Sequence, residues 1–136
     1  MLLSRTPRAG WREATSKLYV NPAVDTLIMR QIIEDYKPER RGSYQYSDTN
    51  FWLLKLIAEK VSGESLDRLT HALLSELGCT LSGYNPLQTC DMEHCVPTED
   101  DHILNRGTVQ GYVHDELGAL MGGVGGNAGL FSTAKE

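Results

Sequence analysis

The sequence predicts a mainly α-helical protein, and three observations lead to this fold class. Three stretches between residues 21 and 78 carry apolar side chains at helical spacing, and proline or glycine separates each from the next. Residues 79–107 are polar and irregular, which indicates a long loop. Apolar and polar residues alternate weakly over residues 108–113, which predicts one short strand. Residues 118–131 are rich in glycine. We therefore expect one domain over residues 1–136, with its helices at about residues 21–78.

The first helix is predicted over residues 22–36. Asn21 is a favourable cap residue, and Pro22 follows it at the first helical position, where its missing N–H costs nothing. Pro38 ends the helix, because the residue before a proline is pushed out of the helical region. The apolar residues that define the helical face are Val24, Leu27, Ile28 and Ile32.

The second helix is predicted to begin at Asp48 or Thr49 and to end at Gly63. Lys55 and Glu59 lie four residues apart and are expected on the solvent side. The face expected to pack inward is formed by Phe51, Leu54, Ala58 and Val61, with Leu53 and Ile57 beside it.

A third helix is predicted from Ser65, which can cap it, to the glycine at Gly78. Its apolar stripe consists of Leu66, Leu69, Leu73 and Leu77. Because the link between the second and third helices is short, the two must pack antiparallel or at a sharp angle. We expect the stripes of all three helices to pack together. Ser132 or Thr133 is predicted to cap a further helix near residue 136.

Composition and charge exclude several function classes. The chain of 136 residues is 40% hydrophobic with a net charge of -5, and its thirteen Lys and Arg residues are scattered, so we expect no nucleic acid partner. No apolar run approaches the length of about 20 residues that spans a bilayer, and residues 1–5 contain no secretory signal. Three cysteines are too few for a disulfide framework and leave the compartment open.

Tyr46 is the residue best placed for chemistry. It lies at the end of a loop and directly before a strong amphipathic helix, which fixes its hydroxyl at the rim of a packed element. A tyrosine has an ordinary pKa near 10, so it acts as a base near neutral pH only where cations lower that pKa. A tyrosine in this position also occurs as a half-buried packing residue.

The segment YSDTNF at residues 46–51 resembles the Tyr-x-Asn motif of the β-lactamase-related serine hydrolases. That family includes the class C β-lactamases, DD-peptidases and related esterases. Further blocks resemble later parts of the family in the same order, and together they cover most of the chain from about residue 44. These blocks are VPTE at residues 96–99, GYVHDE at 111–116 and GGVGGNAGLFSTA at 122–134.

The resemblance implies an α/β fold of the β-lactamase/transpeptidase-like type with a helical domain inserted between its two ends. This chain then corresponds chiefly to the helical insertion, as a partial domain. In the family a Ser-x-x-Lys pair supplies the nucleophile, the motif tyrosine relays protons, and a Lys-Thr-Gly strand lines the site. Of these only the tyrosine motif is present, as Tyr46 with Asp48 where class C enzymes have asparagine. The catalytic residues implied here are Tyr46 and Asp48.

Two other serine patterns compete with this interpretation. Ser47-Asp48-Thr49 resembles the Ser-Asp-Asn triplet of class A enzymes, although the helix phase and the downstream blocks favour Tyr46. Ser132 and Lys135 form a Ser-x-x-Lys string, but it follows the tyrosine motif, whereas the family's nucleophile precedes it. The weak likeness of residues 1–11 to the loop after the nucleophile helix places the true serine before Met1. Asn127 stands where family members often have histidine.

No cofactor or metal site is predicted. The glycine-rich segment lacks both the Gly-Lys-Ser/Thr ending of a phosphate loop and the spacing of a dinucleotide fingerprint. Cys90, His94 and Cys95 lie within six residues, but their spacing matches no usual zinc site.

The resemblance implies a segment of a serine hydrolase that forms an acyl-enzyme on an amide or ester. Its substrate would be a small molecule or a cell-wall peptide, such as a β-lactam or a peptidoglycan stem, and the chain alone should be inactive. The parent family often acts outside the cytoplasm. Because this chain lacks the sheet of the family fold, apolar faces of its helices should be exposed. Such faces also predict a homodimer. The alternative is a non-enzymatic binding module derived from the same fold.

Overall fold

The fold is a small mixed α/β arrangement, so the prediction of a mainly α-helical protein is wrong. The computed structural model describes residues 1–35 and 41–136, and 37% of them are helical while 17% are in strands. Within this described part, four α-helices are accompanied by seven short strands in three small antiparallel sheets. Among the same residues, no helix is both long and apolar enough to cross a membrane.

An N-terminal sheet was missed by the sequence analysis. Its strands β1 (Leu3–Ser4), β2 (Arg12–Thr15) and β3 (Leu18–Val20) pair in the order β1-β3-β2. The turn between β2 and β3 has only two residues, and Lys17 adopts a positive φ there. Strands of two to four residues are too short for alternation to show in the sequence, which is why they were not predicted.

The first helix packs on this sheet, and together they form the core. The helix α1 (Ala23–Glu34) begins where the Asn21 side chain accepts a hydrogen bond of 2.9 Å from the amide of Ala23, as predicted for a cap. The predicted end at residue 36 lies outside the described residues. The buried core residues are Ala14, Leu18, Val20 and Val24, with Ile28, Leu104 and Leu120 packed against them.

The second and third helices form a helical hairpin and are confirmed. They are α2 (Asp48–Ser62) and α3 (Leu66–Glu76). Gly63 ends α2 with φ of 74°, in the left-handed region that glycine adopts without steric cost. The Ser65 side chain makes no capping hydrogen bond. Instead, the Glu59 carboxylate accepts a bond of 2.9 Å from the Leu66 amide, so α2 caps the start of α3.

The buried face of α2 is the opposite of the predicted one. Trp52 is fully buried, whereas Val61 on the predicted inner face is 83% exposed. Lys55 lies over the Trp52 ring, 5.3 Å from its centroid, and its Nζ is 3.8 Å from Glu59. The expected packing of the three helical stripes is therefore wrong. The residues that we call the exposed α2 face are Phe51, Leu53, Leu54, Ile57 and Val61.

The predicted loop over residues 79–107 contains strands. It begins with β4 (Gly83–Tyr84) and two 3₁₀ turns (Pro86–Gln88 and Met92–His94) and ends in β5 (Pro97–Asp101), which pairs with β6 (Gly107–Gln110). The sequence of β5, PTEDD, has low strand propensity, and pairing with β6 overrides it. The short strand expected at residues 108–113 is confirmed as β6. The remaining elements are α4 (Glu116–Leu120) and β7 (Leu130–Phe131), which pairs with β4.

A buried ion pair holds the β5–β6 hairpin to the segment before α4. The Arg106 side chain is 0% exposed, and its Nε donates to the Asp101 carboxylate. Its Nη1 donates to the Val113 carbonyl at 2.8 Å, and its Nη2 donates to the His114 carbonyl. Because every charged atom is hydrogen-bonded, removal of either partner would leave a buried charge uncompensated.

Acid is expected to weaken this ion pair. Burial raises the pKa of Asp101, but the hydrogen bonds from Arg106 and from the amides of Leu104 and Ile103 outweigh it, so the pKa lies below its ordinary value. A carboxyl whose pKa is lower in the folded state stabilises the fold above its unfolded pKa and loses that contribution as the pH falls through its folded pKa. We expect the free energy of unfolding, measured with urea, to decrease from about pH 5 to pH 2. The decrease should be less steep in Asp101→Asn than in the parent chain. Equal slopes in the variant and the parent would contradict this expectation.

Candidate functional site

Tyr46 and Asp48 are brought together at the start of α2. The Tyr46 hydroxyl donates a hydrogen bond of 3.0 Å to Oδ1 of Asp48, and the Tyr46 side chain is 71% exposed. Asp48 is the first residue of α2, where the positive end of the helix dipole stabilises a carboxylate. The two side chains therefore form an accessible proton donor and acceptor pair on a fixed helix end.

This pairing determines the protonation state of the tyrosine. The hydrogen bond to Asp48, and next the negative charge of Asp48, raise the pKa of Tyr46 above its ordinary value of 10.0. The phenol is therefore a hydrogen-bond donor at neutral pH in this arrangement. To accept a proton it needs a cation close to its oxygen, and Lys55 is directed instead towards Trp52 and Glu59.

The glycine-rich segment packs directly on the first turns of α2. A side chain at Gly126 would place its Cβ 2.1 Å from the carbonyl oxygen of Phe51. On the other side of the segment, the Tyr84 hydroxyl donates a hydrogen bond of 3.0 Å to the Gly125 carbonyl. The segment thus lies between α2 and β4, and its glycines permit this close approach.

Gly126→Ala is expected to destabilise the chain by about 1–3 kcal/mol, because backbone atoms of α2 must move to accommodate the new methyl group. The matched control is Gly83→Ala, since a Cβ at Gly83 meets nothing within 4 Å. Urea unfolding of both variants tests this, and the control should lie within about 0.5 kcal/mol of the parent. Two variants of equal stability would show that α2 and the glycine-rich segment do not touch.

Trp52 and Asn127 are two residues near this contact whose place the sequence did not reveal. The indole Nε1 of Trp52 and the Oδ1 of Asn127 are both buried, and neither has a hydrogen-bond partner among residues 1–35 and 41–136. Both side chains flank Gly125. A Cβ added at Gly125 would lie 3.3 Å from the Trp52 ring and 3.0 Å from Asn127 Oδ1. The signal for Trp52 was its helical phase, because Trp52, Lys55 and Glu59 occupy one face at positions i, i+3 and i+7.

The two alternative serines lie in different surroundings, one just before α2 and the other beside Ser82. Ser47 precedes α2 with extended backbone angles, and its side chain makes no capping hydrogen bond. The Ser132 hydroxyl lies 2.7 Å from that of Ser82, which in turn donates to Glu136 at 2.7 Å. The helix predicted to start at Ser132 or Thr133 is not formed in residues 132–136; these residues make a turn in which the Thr133 carbonyl accepts from the Glu136 amide at 3.2 Å.

Two groups of side chains in the described part of the chain have the spacing of metal ligands. Glu99, Asp101 and Glu116 place their carboxylate oxygens within 4.8 Å of one another, but the Arg106 guanidinium already lies among them as a counterion. The other group is fully exposed and consists of Asp91, Glu93 and His94. Exposed acidic groups are common without a metal, so neither group indicates a metal-dependent reaction.

The chain is similar to proteins whose names describe cell-wall hydrolases. It is 37% identical over 143 residues to an Escherichia coli K12 protein named "Putative D-alanyl-D-alanine carboxypeptidase", and the match covers 93% of this chain. It is 37% identical over 141 residues to a Bacillus subtilis protein named N-acetylmuramyl-L-alanine amidase, across 91% of this chain. A Salmonella gallinarum protein with the same name as the E. coli one is 31% identical over 143 residues.

The matched region is one part of longer proteins. The chain spans 32% of the length of the E. coli relative and 31% of the B. subtilis relative. No family model and no solved structure matches the chain. The chain is therefore related to proteins named as peptidoglycan hydrolases through a segment about one third of their length.

Proposed function

We propose that this chain is a segment of a serine hydrolase that cleaves amide bonds in cell-wall peptides. The observation that carries the proposal is the similarity over more than nine tenths of the chain to a protein named as a carboxypeptidase and to one named as an amidase. Both names describe cleavage of an amide bond beside an alanine. The Tyr46 motif and the later sequence blocks support the β-lactamase-related mechanism, in which a serine forms an acyl-enzyme.

Tyr46 is the proposed proton-transfer residue of that site. Serine attack on an amide requires a group that takes the hydroxyl proton and delivers one to the leaving amine. The Tyr46 hydroxyl is exposed just before the start of α2 and is hydrogen-bonded to the first residue of that helix. A lysine next to the nucleophile in the remaining part of the hydrolase would supply the cation that lowers the tyrosine pKa.

Asp48 is the proposed partner that orients the tyrosine. Its carboxylate accepts the hydroxyl hydrogen bond at 3.0 Å, so it holds the proton donor in one direction. An ionised carboxylate cannot donate a hydrogen bond, unlike the asparagine found at this position in class C enzymes. This difference from the class C pattern weakens the assignment of a β-lactam as the substrate.

The exposed α2 face supports a role within a larger protein. Its apolar side chains are adjacent on one side of a helix whose other side packs on this chain. Contiguous apolar surface of this kind is typical of an interface that another unit covers. In a relative about three times as long, residues outside the matched segment are available to pack on the corresponding face.

The chain alone is expected to be catalytically inactive. Acyl transfer needs a nucleophile within hydrogen-bond reach of its base and an oxyanion site beside it, whereas the Ser132 hydroxyl is hydrogen-bonded to that of Ser82. Incubation of the purified chain with a fluorophosphonate probe or a penicillin, followed by mass spectrometry, should give no covalent adduct. Stoichiometric labelling of any serine would contradict the proposal that the nucleophile lies in another part of the hydrolase.

A further inference from the structure

Two cysteine thiols that no part of the proposed hydrolase uses lie side by side. Cys90 and Cys95 place their Sγ atoms 3.8 Å apart, and both thiols are free. Cys95 is buried and Cys90 is partly exposed. The turn between them is the 3₁₀ turn at Met92–His94. A disulfide requires an S–S separation of about 2.05 Å, so side-chain rotation has less than about 2 Å to close.

The backbone on both sides of this pair is held in place by neighbouring elements. The Cys90 amide donates to the Pro86 carbonyl at 2.9 Å, and the Cys95 amide donates to the Met92 carbonyl at 3.0 Å. The Gln110 side chain of β6 donates to the Cys95 carbonyl at 2.8 Å and to the Met92 carbonyl at 2.9 Å. The two thiols therefore face each other because of the fold, and not only because four residues separate them in sequence.

We infer that Cys90 and Cys95 are a site of reversible disulfide formation that closes the 3₁₀ turn between them. Neither thiol touches Tyr46 or Asp48, so the site is independent of the proposed hydrolase chemistry. Its reaction partner is a low-molecular-weight disulfide, such as oxidised glutathione, or a protein disulfide oxidant.

The exchange proceeds in two balanced steps. The accessible Cys90, as its thiolate, attacks one sulfur of oxidised glutathione, forms a mixed disulfide and releases one glutathione thiolate. Cys95 then loses its proton and attacks the Cys90 sulfur, which releases the second glutathione. Burial, and next the Cys90 thiol, raise the pKa of Cys95, so the second step is expected to quicken with rising pH.

The test is equilibration of the whole chain with oxidised and reduced glutathione, followed by alkylation and mass spectrometry. The expected product has lost two hydrogen atoms, retains one of its three thiols, and yields a Cys90–Cys95 crosslinked peptide after digestion. The equilibrium constant for the disulfide should be at least about tenfold larger under native conditions than in concentrated urea, because the fold holds the thiols together.

Cys79→Ser is the matched control, since Cys79 is the remaining free cysteine and has no part in the pair. This variant should form the disulfide with the same equilibrium constant as the parent. Three results would overturn the inference: a crosslink to Cys79, a stable glutathione adduct on Cys90, or equal equilibrium constants in buffer and in urea.

Discussion

Arg106→Met is expected to lower the free energy of unfolding by about 3–5 kcal/mol, the largest stability effect of any substitution considered. Arg106 and Asp101 are both inaccessible to solvent, and the guanidinium also bonds the carbonyls of Val113 and His114. Methionine fills similar volume but leaves the Asp101 carboxylate buried without its cation. Urea unfolding monitored by circular dichroism measures the change.

Two variants separate this effect from a general loss of charge. Arg68→Met removes an exposed partner of Glu64 and should cost less than about 1 kcal/mol. Adding Asp101→Asn to Arg106→Met removes the uncompensated carboxylate and should recover part of the loss. A cost for Arg106→Met no larger than that of Arg68→Met would show that the hairpin does not depend on this ion pair.

Tyr46→Phe is expected to reduce turnover by about 100- to 10,000-fold when the segment is placed in a complete hydrolase. The appropriate protein is a chimera in which the matched part of this chain replaces the aligned segment of the E. coli relative. Phenylalanine preserves the ring and removes only the hydroxyl that donates to Asp48, so packing is unchanged while proton transfer is lost. Release of D-alanine from a peptide ending in D-alanyl-D-alanine measures the rate.

Tyr44→Phe is the matched control for that experiment. Tyr44 lies two residues before Tyr46 and is 93% exposed, so the same chemical change there should leave turnover within about twofold of the parent chimera. Equal rates for the two tyrosine variants would remove Tyr46 from the catalytic machinery.

The positions of the helices could be predicted because their ends depend on local signals. Asn21, Pro22 and Gly63 mark boundaries through backbone chemistry that no distant residue alters. The inward face of α2 could not be predicted in the same way. The apolar stripe of a helix identifies a surface that must be covered, but the cover need not belong to the same chain segment. Here Trp52 and the stem of Lys55 pack inward, and the apolar stripe is exposed.

Apart from β6, the strands were missed for a different reason. The acidic sequence of β5 has low propensity for a strand, and it becomes one because Arg106 neutralises its carboxylates and β6 pairs with its backbone. Although Arg106 lies only five residues after Asp101, the burial of their ion pair depends on tertiary packing that the residue pattern does not show. The close approach of Gly126 to α2 is likewise a tertiary contact, which the glycine content of residues 118–131 alone did not predict.

The candidate site could be predicted in part. The resemblance of residues 46–51 to the family motif selected Tyr46 and Asp48 as candidates, and the structure adds the hydrogen bond that joins them. The raised pKa of Tyr46 was not predicted, since it depends on which neighbour the hydroxyl meets. That neighbour is an anion here, so a cation from outside this segment is required for the proposed proton transfer.

The rate of D-alanine release by the chimera tests the central claim most directly. The proposal predicts that the chimera releases D-alanine at a measurable fraction of the rate of the intact E. coli relative, while the isolated chain releases none. A thermal unfolding curve recorded on the same samples shows whether the chimera is folded. A chimera that unfolds cooperatively but releases no D-alanine, beside an intact relative that does, would contradict the assignment of this segment to a cell-wall amide hydrolase.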